Sequence, residues 1–459
     1  MSCGKKKSTE PEPGNPSIDF NAEILPILQA RCNTAGCHGG QTPSDTAGGL
    51  VFSSFDAMRQ SIGQKTSWTK PLIIPGNPDS SHLILTIRQS RPSIMPPSPL
   101  PSLDTAEVKK IADWIKQGAK GPGGKKFPTY REGKLYAANS NDGRVDVIDL
   151  STNYRSDFIL TYEGSENPSS VQTHHITVSP DKKFIYVTNA WAVGHIIKIG
   201  TETDSVLVRA RAGFQPADIV ISPSGEYVYL SNYNQNSQFS FNPNSTVWRI
   251  DAQTIGLVDT FIVGRAPHGV GISKDGKLVL SPGEESDDLW FVYPDSGPNA
   301  IFRLPLWPGA SFNNLVYKPF AVVLSPDDSL AYVSCTKDNK ILIIDTDSRT
   351  RTDSIVLDPT EGKGPLMLAA SADGNTLYAP CLLSNTLAVI DVVTKAQTYI
   401  PIGLKPHAPM PVADSLVYVT CEGNHVTPYK VYVVNTITQT VVDSIDVGRF
   451  PNGIAVLKP

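Results

Sequence analysis

The run Cys32-Asn33-Thr34-Ala35-Gly36-Cys37-His38 sets two thiols beside an imidazole that directly follows the second. Two cysteines followed at once by a histidine form the attachment pattern of a c-type haem. Each thiol can add to one vinyl group of the porphyrin, and the adjacent histidine is then delivered to one face of the iron. The usual gap between the cysteines is two residues. Four stand here, so the loop must bulge to place both sulfurs. A disulfide or a zinc loop is the plainer use of the same residues. Zinc asks for about four ligands, and the following stretch up to Met95 adds no cysteine and one histidine, His82.

A haem of this kind needs a second axial ligand. Met95 stands in Ser93-Ile94-Met95-Pro96-Pro97. The two prolines stiffen the backbone, and a thioether on a rigid loop makes a soft ligand for iron. Methionine–histidine ligation raises the haem potential and fills both axial positions, which suits electron transfer rather than oxygen binding. A methionine can also simply fill a gap in a core, and His82 is the rival ligand.

The surrounding elements must position these groups. Asp19 to Ala30 reads as a short helix ahead of Cys32, bent at Pro26. After the loop come Gly48-Gly49-Leu50, Pro75-Gly76-Asn77-Pro78 and the Met-Pro-Pro turn. A last helix begins at Asp104, with Glu107 completing a capping box. It presents Val108, Ile111, Ala112 and Ile115 on one face and ends at Gly118. The series Ile-Leu-Pro-Ile, Cys-His-Gly, Gly-Gly-Leu, Pro-Gly-Asn-Pro, Met-Pro-Pro and Trp114-Ile115…Gly118-Ala119 resembles the planctomycete-type cytochrome c domain over residues 18–120. The resemblance implies a small all-α domain carrying one covalent haem c on Cys32 and Cys37, with His38 and Met95 as axial ligands.

The chain of 459 residues has room for two or three domains. A net charge of −4 without a basic stripe argues against nucleic acid as a partner. No run of 18 apolar residues is present, so no segment reads as spanning a membrane. Residues 1–17 read as a flexible tether rich in Lys, Pro and Glu. Its Ser2-Cys3-Gly4 resembles the end of a bacterial lipoprotein signal, in which Cys3 would become the lipidated first residue. The apolar stretch that precedes such a cysteine does not stand in this sequence, as expected of a trimmed start. A lipid there would tie the protein to a membrane surface. The implied location is the periplasm or cell surface, on the outer membrane of a Gram-negative bacterium.

Residues 121–133 are rich in Gly, Lys and Pro and read as a linker. Beyond them the chain repeats itself. Alternating strands end at Asn139, Asn189, Asn232, Pro282, Cys335, Cys381 and Cys421, spaced as propeller blades of four strands are. Seven such strands predict seven blades over residues 134–459. The final strand, Gly453-Ile454-Ala455-Val456, should pair with Lys134–Asn139 and close the ring, removing two sheet edges. Tyr186-Val-Thr-Asn189, Val-Ile-Asp149, Val263-Gly264 and Ser-Pro-Asp181 resemble the YVTN-repeat β-propellers. The predicted fold is multidomain, an all-α cytochrome c domain followed by an all-β propeller. That fold alone assigns no activity.

Folding each hairpin about its turn pairs His174 with Asn189, Ala217 with Asn232, His268 with Pro282, Phe320 with Cys335 and His407 with Cys421. Histidines and cysteines then share two rings near one channel mouth, with His195 and His425 on adjacent loops. A copper- or zinc-like set of His407, Cys421 and His425 is one reading. The other is that the cysteines replace asparagine as small buried residues while the histidines cap loop backbone. His174, His268 and His407 belong to well-separated blades and must reach across the channel to meet, which favours the second. The run Glu284-Glu285-Ser286-Asp287-Asp288 reads as a solvated loop rather than a calcium site.

The function expected is electron transfer by the haem, with the propeller as a docking or display scaffold for a redox partner protein or a small electron donor or acceptor. The alternatives are an oxidoreductase with a substrate or metal site on the propeller face, and an extracellular binding module with an incidental haem.

Overall fold

The computed structural model describes residues 17–34, 37–40, 50–61, 72–73, 75–88, 95–97, 100–124, 127, 130, 132–150, 153–164, 166–190, 194–233, 245–297, 300–311, 314–413 and 415–459. The chain divides into two compact units. One ends at Lys134 and also takes Val147–Phe158 and Lys458–Pro459; the other comprises Leu135–Asp146 and Ile159–Leu457.

In the first unit the opening helix is broken where Pro26 predicts a bend. Asp19 caps it by accepting the N–H of Ala22 at 2.7 Å. Phe20–Ile24 then forms a single π-turn, and the α-helix proper, α1, runs Leu25–Arg31 with the proline in its first turn. A proline cannot donate back into the preceding turn, and the wider π-turn falls where that bond is missing. Helix α2 spans Phe55–Ser61, α3 spans His82–Ile87 and α4 spans Thr105–Lys116.

The capping box of α4 forms as its sequence dictates. Glu107 N–H donates to Asp104 Oδ1 at 2.8 Å, and Asp104 N–H donates to Glu107 Oε2 at 2.9 Å. Gly118 ends the segment at φ +98°. Ile111, Ala112, Trp114 and Ile115 are buried, and Val108 packs partly against the same core. There Trp114 meets the rings of Phe20, Phe55 and Phe127 at centroid distances of 5.3, 6.5 and 5.9 Å. The Pro-Gly-Asn-Pro segment is braced on α4 by Gly76 N–H donating to the Ile115 carbonyl at 2.7 Å.

From Lys134 onward the chain forms a seven-bladed β-propeller. Among the described residues there are seven four-stranded sheets. Blade 1 is closed by the carboxy-terminal strand Pro451–Leu457, which lies beside Lys134–Asn139 as expected. The innermost strands of blades 2 to 7 are Thr173–Val178, Pro216–Ile221, Gly271–Ile272, Pro319–Leu324, Ala369–Ala370 and Pro406–Ala413. Their partners end at Asn189, Asn232, Gly283, Cys335, Cys381 and Cys421.

The bridge between Pro267 and Gly283 leaves His268 opposite Pro282 as expected, whereas four other hairpins differ from the expectation by one residue at the channel mouth. Thr173, not His174, pairs with Asn189. Likewise Pro216 pairs with Asn232, Pro319 with Cys335 and Pro406 with Cys421. Each pairing is followed by a register shift before the regular ladder resumes. The cause is a bulge held by the hydroxyl that ends the Tyr-Val-Thr pattern. Thr188 Oγ1 accepts His175 N–H at 3.0 Å, Ser231 Oγ accepts Asp218 N–H at 3.1 Å, Ser334 Oγ accepts Ala321 N–H at 3.1 Å and Thr420 Oγ1 accepts Ala408 N–H at 3.1 Å. Three of these hydroxyls also donate to the next blade: Thr188 to the Ala217 carbonyl at 2.8 Å, Ser231 to His268 at 2.5 Å and Thr420 to Asn452 at 2.5 Å. Bulges re-aim side chains, and these turn the residues after Thr173, Pro216 and Pro406 toward the channel.

The acidic run is not a solvated loop. Asp287 is fully buried and accepts hydrogen bonds from Trp307 Nε1 at 3.0 Å, Lys318 N–H at 2.7 Å, and the N–H groups of Val316 and Tyr317. Asp288 pairs with Arg303 at 2.7 Å, and Glu284 accepts from Tyr233 and Lys318. The carboxylates spend their acceptors on fastening the segment that leads into blade 5.

A candidate haem site and a four-histidine cluster

Helix α1 delivers Cys32 as its C-cap, with Cys32 N–H donating to the Leu28 carbonyl. Two tight turns follow. Cys37 N–H donates to the Thr34 carbonyl at 3.0 Å, and His38 N–H returns to the Cys32 carbonyl at 3.3 Å. These bonds fold His38 back onto the helix end that carries Cys32. Gly39 is required by close approach, since a Cβ there would lie 2.8 Å from the Asn33 carbonyl oxygen. Arg31, the last residue of α1, forms a 3.0 Å ion pair with Glu107, so the residue that caps α4 also fixes the helix end carrying Cys32.

Both thiols are free. Cys32 is buried, and burial, reinforced by Cys37 and Glu107, pushes its thiol up to about 12. Cys37 is half-buried. His38 Nδ1 lies 2.9 Å from the Leu50 carbonyl oxygen. A carbonyl can only accept, so Nδ1 carries the proton and Nε2 the lone pair, the tautomer a metal-ligating imidazole adopts. The ring is steadied edge-on by Phe52 at 5.1 Å. Met95 is 36% exposed, and its N–H donates to the carbonyl of Thr86 in α3 at 3.4 Å. His82 begins that helix. The donor set of two free thiols, one tautomer-fixed imidazole and the thioether of Met95, whose backbone is tied to α3, fits a c-type haem. Cys3 lies outside the described residues.

A second constellation stands in the propeller. His174, His175, His268 and His407 each offer a ring nitrogen, and these atoms all lie within 4.8 Å of one another. Blade separation around the ring, taken above to keep His174, His268 and His407 apart, does not do so. All three reach the channel, His174 and His407 at the bulges, and ring centroids stand 5.3 Å apart for His174 and His268 and 5.9 Å apart for His174 and His407. His175 joins them and was not singled out from the sequence. The His-His pair next to a bulged strand start is the signal for it, and it is visible only once the register is known.

The predicted set of His407, Cys421 and His425 is not what the fold assembles. Glu422 stands between the two imidazoles, with Oε1 2.8 Å from His407 Nδ1 and Oε2 2.7 Å from His425 Nε2. Burial raises the Glu422 carboxyl, but the hydrogen bonds from both histidines outweigh it and hold the group below its ordinary value. Cys421 is fully buried, and among the described residues no thiol joins the histidine group. Burial pushes the Cys335 and Cys421 thiols up, and that of Cys381 up to about 12. Cys335 Sγ and Cys381 Sγ donate to the carbonyls of Val333 and Ala379, as Asn139 Nδ2 donates to Ala137. Cysteine here does the work of asparagine, two residues back along its own strand.

Comparison with known proteins places the first unit. Residues 35–99 match the family described as Planctomycete cytochrome C, a span that includes Cys37, His38, His82 and Met95. No curated protein sequence matches the chain. Among solved structures, a functionally unknown protein from Desulfotomaculum acetoxidans is similar at 15% identity and a TM-score of 0.56, covering 71% of this chain and 99% of that one. Kuenenia stuttgartiensis hydrazine synthase is similar at 18% identity and a TM-score of 0.51, covering 71% of this chain and 98% of that one. At these identities both likenesses show the fold alone. The chain therefore joins a Planctomycete cytochrome C domain, matched over residues 35–99, to a seven-bladed β-propeller.

Proposed function

We propose that the protein is a c-type cytochrome that carries electrons, with one haem attached through Cys32 and Cys37. The observation that supports it most is the 2.9 Å hydrogen bond that fixes the His38 tautomer directly after the second of two free cysteines. Bound haem would supply one-electron exchange at its iron. His38 would ligate through Nε2, its basicity raised by the proton that Nδ1 shares with the Leu50 carbonyl. Met95 would supply the iron with a soft, uncharged sulfur, which favours a high potential and suits electron transfer. Cys37, the less buried of the two cysteines, marks the side that a redox partner reaches. The propeller serves as the docking or display scaffold for that partner. Lipid on Cys3 would hold the native precursor at the outer membrane, facing the periplasm or the cell exterior. Recovery of all native precursor in the soluble fraction would refute that anchor.

The test is to mature the chain with a cytochrome c assembly system and record reduced and oxidised spectra. A low-spin, six-coordinate haem with a methionine–iron charge-transfer band supports the reading. A product without haem, or one that binds carbon monoxide readily, contradicts it.

A further inference from the structure

We infer that His174, His175, His268 and His407 form a binding site for one divalent first-row transition-metal ion at the channel mouth of the propeller. The site is independent of the haem reading and would stand if that reading failed.

Four of the chain's eight histidines meet here, from the innermost segments of blades 2, 4 and 7. His175, His268 and His407 are 5%, 5% and 4% exposed. Each carries a buried ring nitrogen with no hydrogen-bond partner: His175 Nε2, His268 Nδ1 and His407 Nε2. Leaving such an atom unsatisfied is costly, and the three occur within one cluster. One metal ion, accepting their lone pairs, satisfies all of them at once.

The remaining nitrogens are arranged as outer partners of metal-bound imidazoles are. His175 Nδ1 lies 3.0 Å from Asp218 Oδ1, and His407 Nδ1 lies 2.8 Å from Glu422 Oε1. A carboxylate on Nδ1 leaves Nε2 as the lone-pair atom and strengthens it as a ligand. His174 Nδ1 contacts the Ala217 carbonyl at 3.3 Å, which selects the same tautomer. His268 is stacked on Phe320 at 3.8 Å, so its ring plane is fixed. Two carboxylates behind four imidazoles balance a doubly charged ion in a buried place. Without the ion, four clustered imidazoles beside one another gain nothing from proximity.

The donor set selects the ion. Imidazole nitrogen suits Cu(II), Zn(II), Ni(II) and Fe(II), whereas Ca(II) and Mg(II) require oxygen ligands. Among the four, His174 is the one left partly exposed, so the ion reaches the site past it. Backbone packing also commits the fold to this arrangement. A Cβ on Gly453, in the innermost strand of blade 1, would lie 2.3 Å from the His174 carbonyl oxygen and 2.6 Å from the His175 Cα. Glycine there lets the His-His bulge sit where it does.

The experiment uses the full chain with its haem in place, stripped with a chelator and then titrated separately with Zn(II), Cu(II) and Ca(II). Metal is measured after desalting. The expected result is one equivalent of Zn(II) beyond the haem iron and no retained Ca(II). The double variant His268→Gln/His407→Gln should bind Zn(II) at least 100-fold more weakly, and Glu422→Gln 10- to 100-fold more weakly. His195→Gln, outside the cluster, should bind as the parent does. Because the double variant could misfold, the parent chain loaded with Cu(II) provides a second readout, an electron paramagnetic resonance signal split by several imidazole nitrogens. Substoichiometric Zn(II), parental affinity in the double variant, or a Cu(II) signal without nitrogen splitting would each overturn the assignment.

Discussion

His38 Nδ1 donates to the carbonyl oxygen of Leu50 across 2.9 Å. Leu50 is itself part of the apolar core that includes Cys32, Phe52 and Trp114. The imidazole next to the second cysteine is therefore oriented by a backbone group that the packing of the whole helical unit holds still. The Leu50 carbonyl thus acts as the outer partner that orients a ligating imidazole.

Met95→Ala in haem-loaded protein should open one axial position. The reduced form should then bind carbon monoxide, and the potential should fall by on the order of 0.1 V, since axial ligation moves haem potentials over about 0.8 V. Redox titration and carbon monoxide difference spectra measure this. Unchanged values would transfer the ligand role to His82.

Ser231→Ala should destabilise the propeller by about 1–3 kcal/mol, because it strands the buried Asp218 N–H and removes the donor to the His268 carbonyl. Chemical denaturation of parent and variant checks it. A change within a few tenths of a kcal/mol would mean the hydroxyl does not hold the bulge.

The same bulge separates what the sequence reveals from what it conceals. Seven alternating strands ending at Asn139, Asn189, Asn232, Pro282, Cys335, Cys381 and Cys421 give the blade count, and the lone final strand gives the closure. Asp104 and Glu107 give the start of α4 outright, because a capping box is a local device. Counting back from the turns misplaces His174 and His407 by one residue, since a bulge adds a residue that alternation cannot reveal. The meeting of four imidazoles is less legible still. Periodicity tells which blade a residue belongs to, but not how far its side chain reaches across the channel. The acidic run at Glu284–Asp288 misleads for a related reason: charge suggests solvent, whereas the backbone donors of Val316, Tyr317 and Lys318 converge on Asp287.

Asp287→Ala should cost about 3–5 kcal/mol, since it leaves three backbone donors and the Trp307 indole without their acceptor. Thermal denaturation read through tryptophan fluorescence is the measurement. A loss under about 1 kcal/mol would show that water replaces the carboxylate.

Acid should loosen the propeller in a defined window. The Lys277 N–H and the Ser273 hydroxyl hold Asp275 at about 2, and the Ser325 and Ser329 hydroxyls hold Asp327 at about 2. Both folded values lie below the ordinary 3.8. The unfolded chain therefore binds more protons between these limits, and stability is present above pH ~4 and lost as pH falls toward ~2. Denaturant midpoints at pH 5 and pH 2.5 should differ less in Asp275→Asn/Asp327→Asn than in the parent. Equal differences would remove these turns from the acid response.

The central claim is tested most directly by the intact mass of the matured chain under denaturing conditions. The account predicts a polypeptide heavier by one haem, reduced to non-covalent haem when both Cys32→Ser and Cys37→Ser are introduced. A denatured parent chain at its bare polypeptide mass, with the pigment released into solvent, would contradict it.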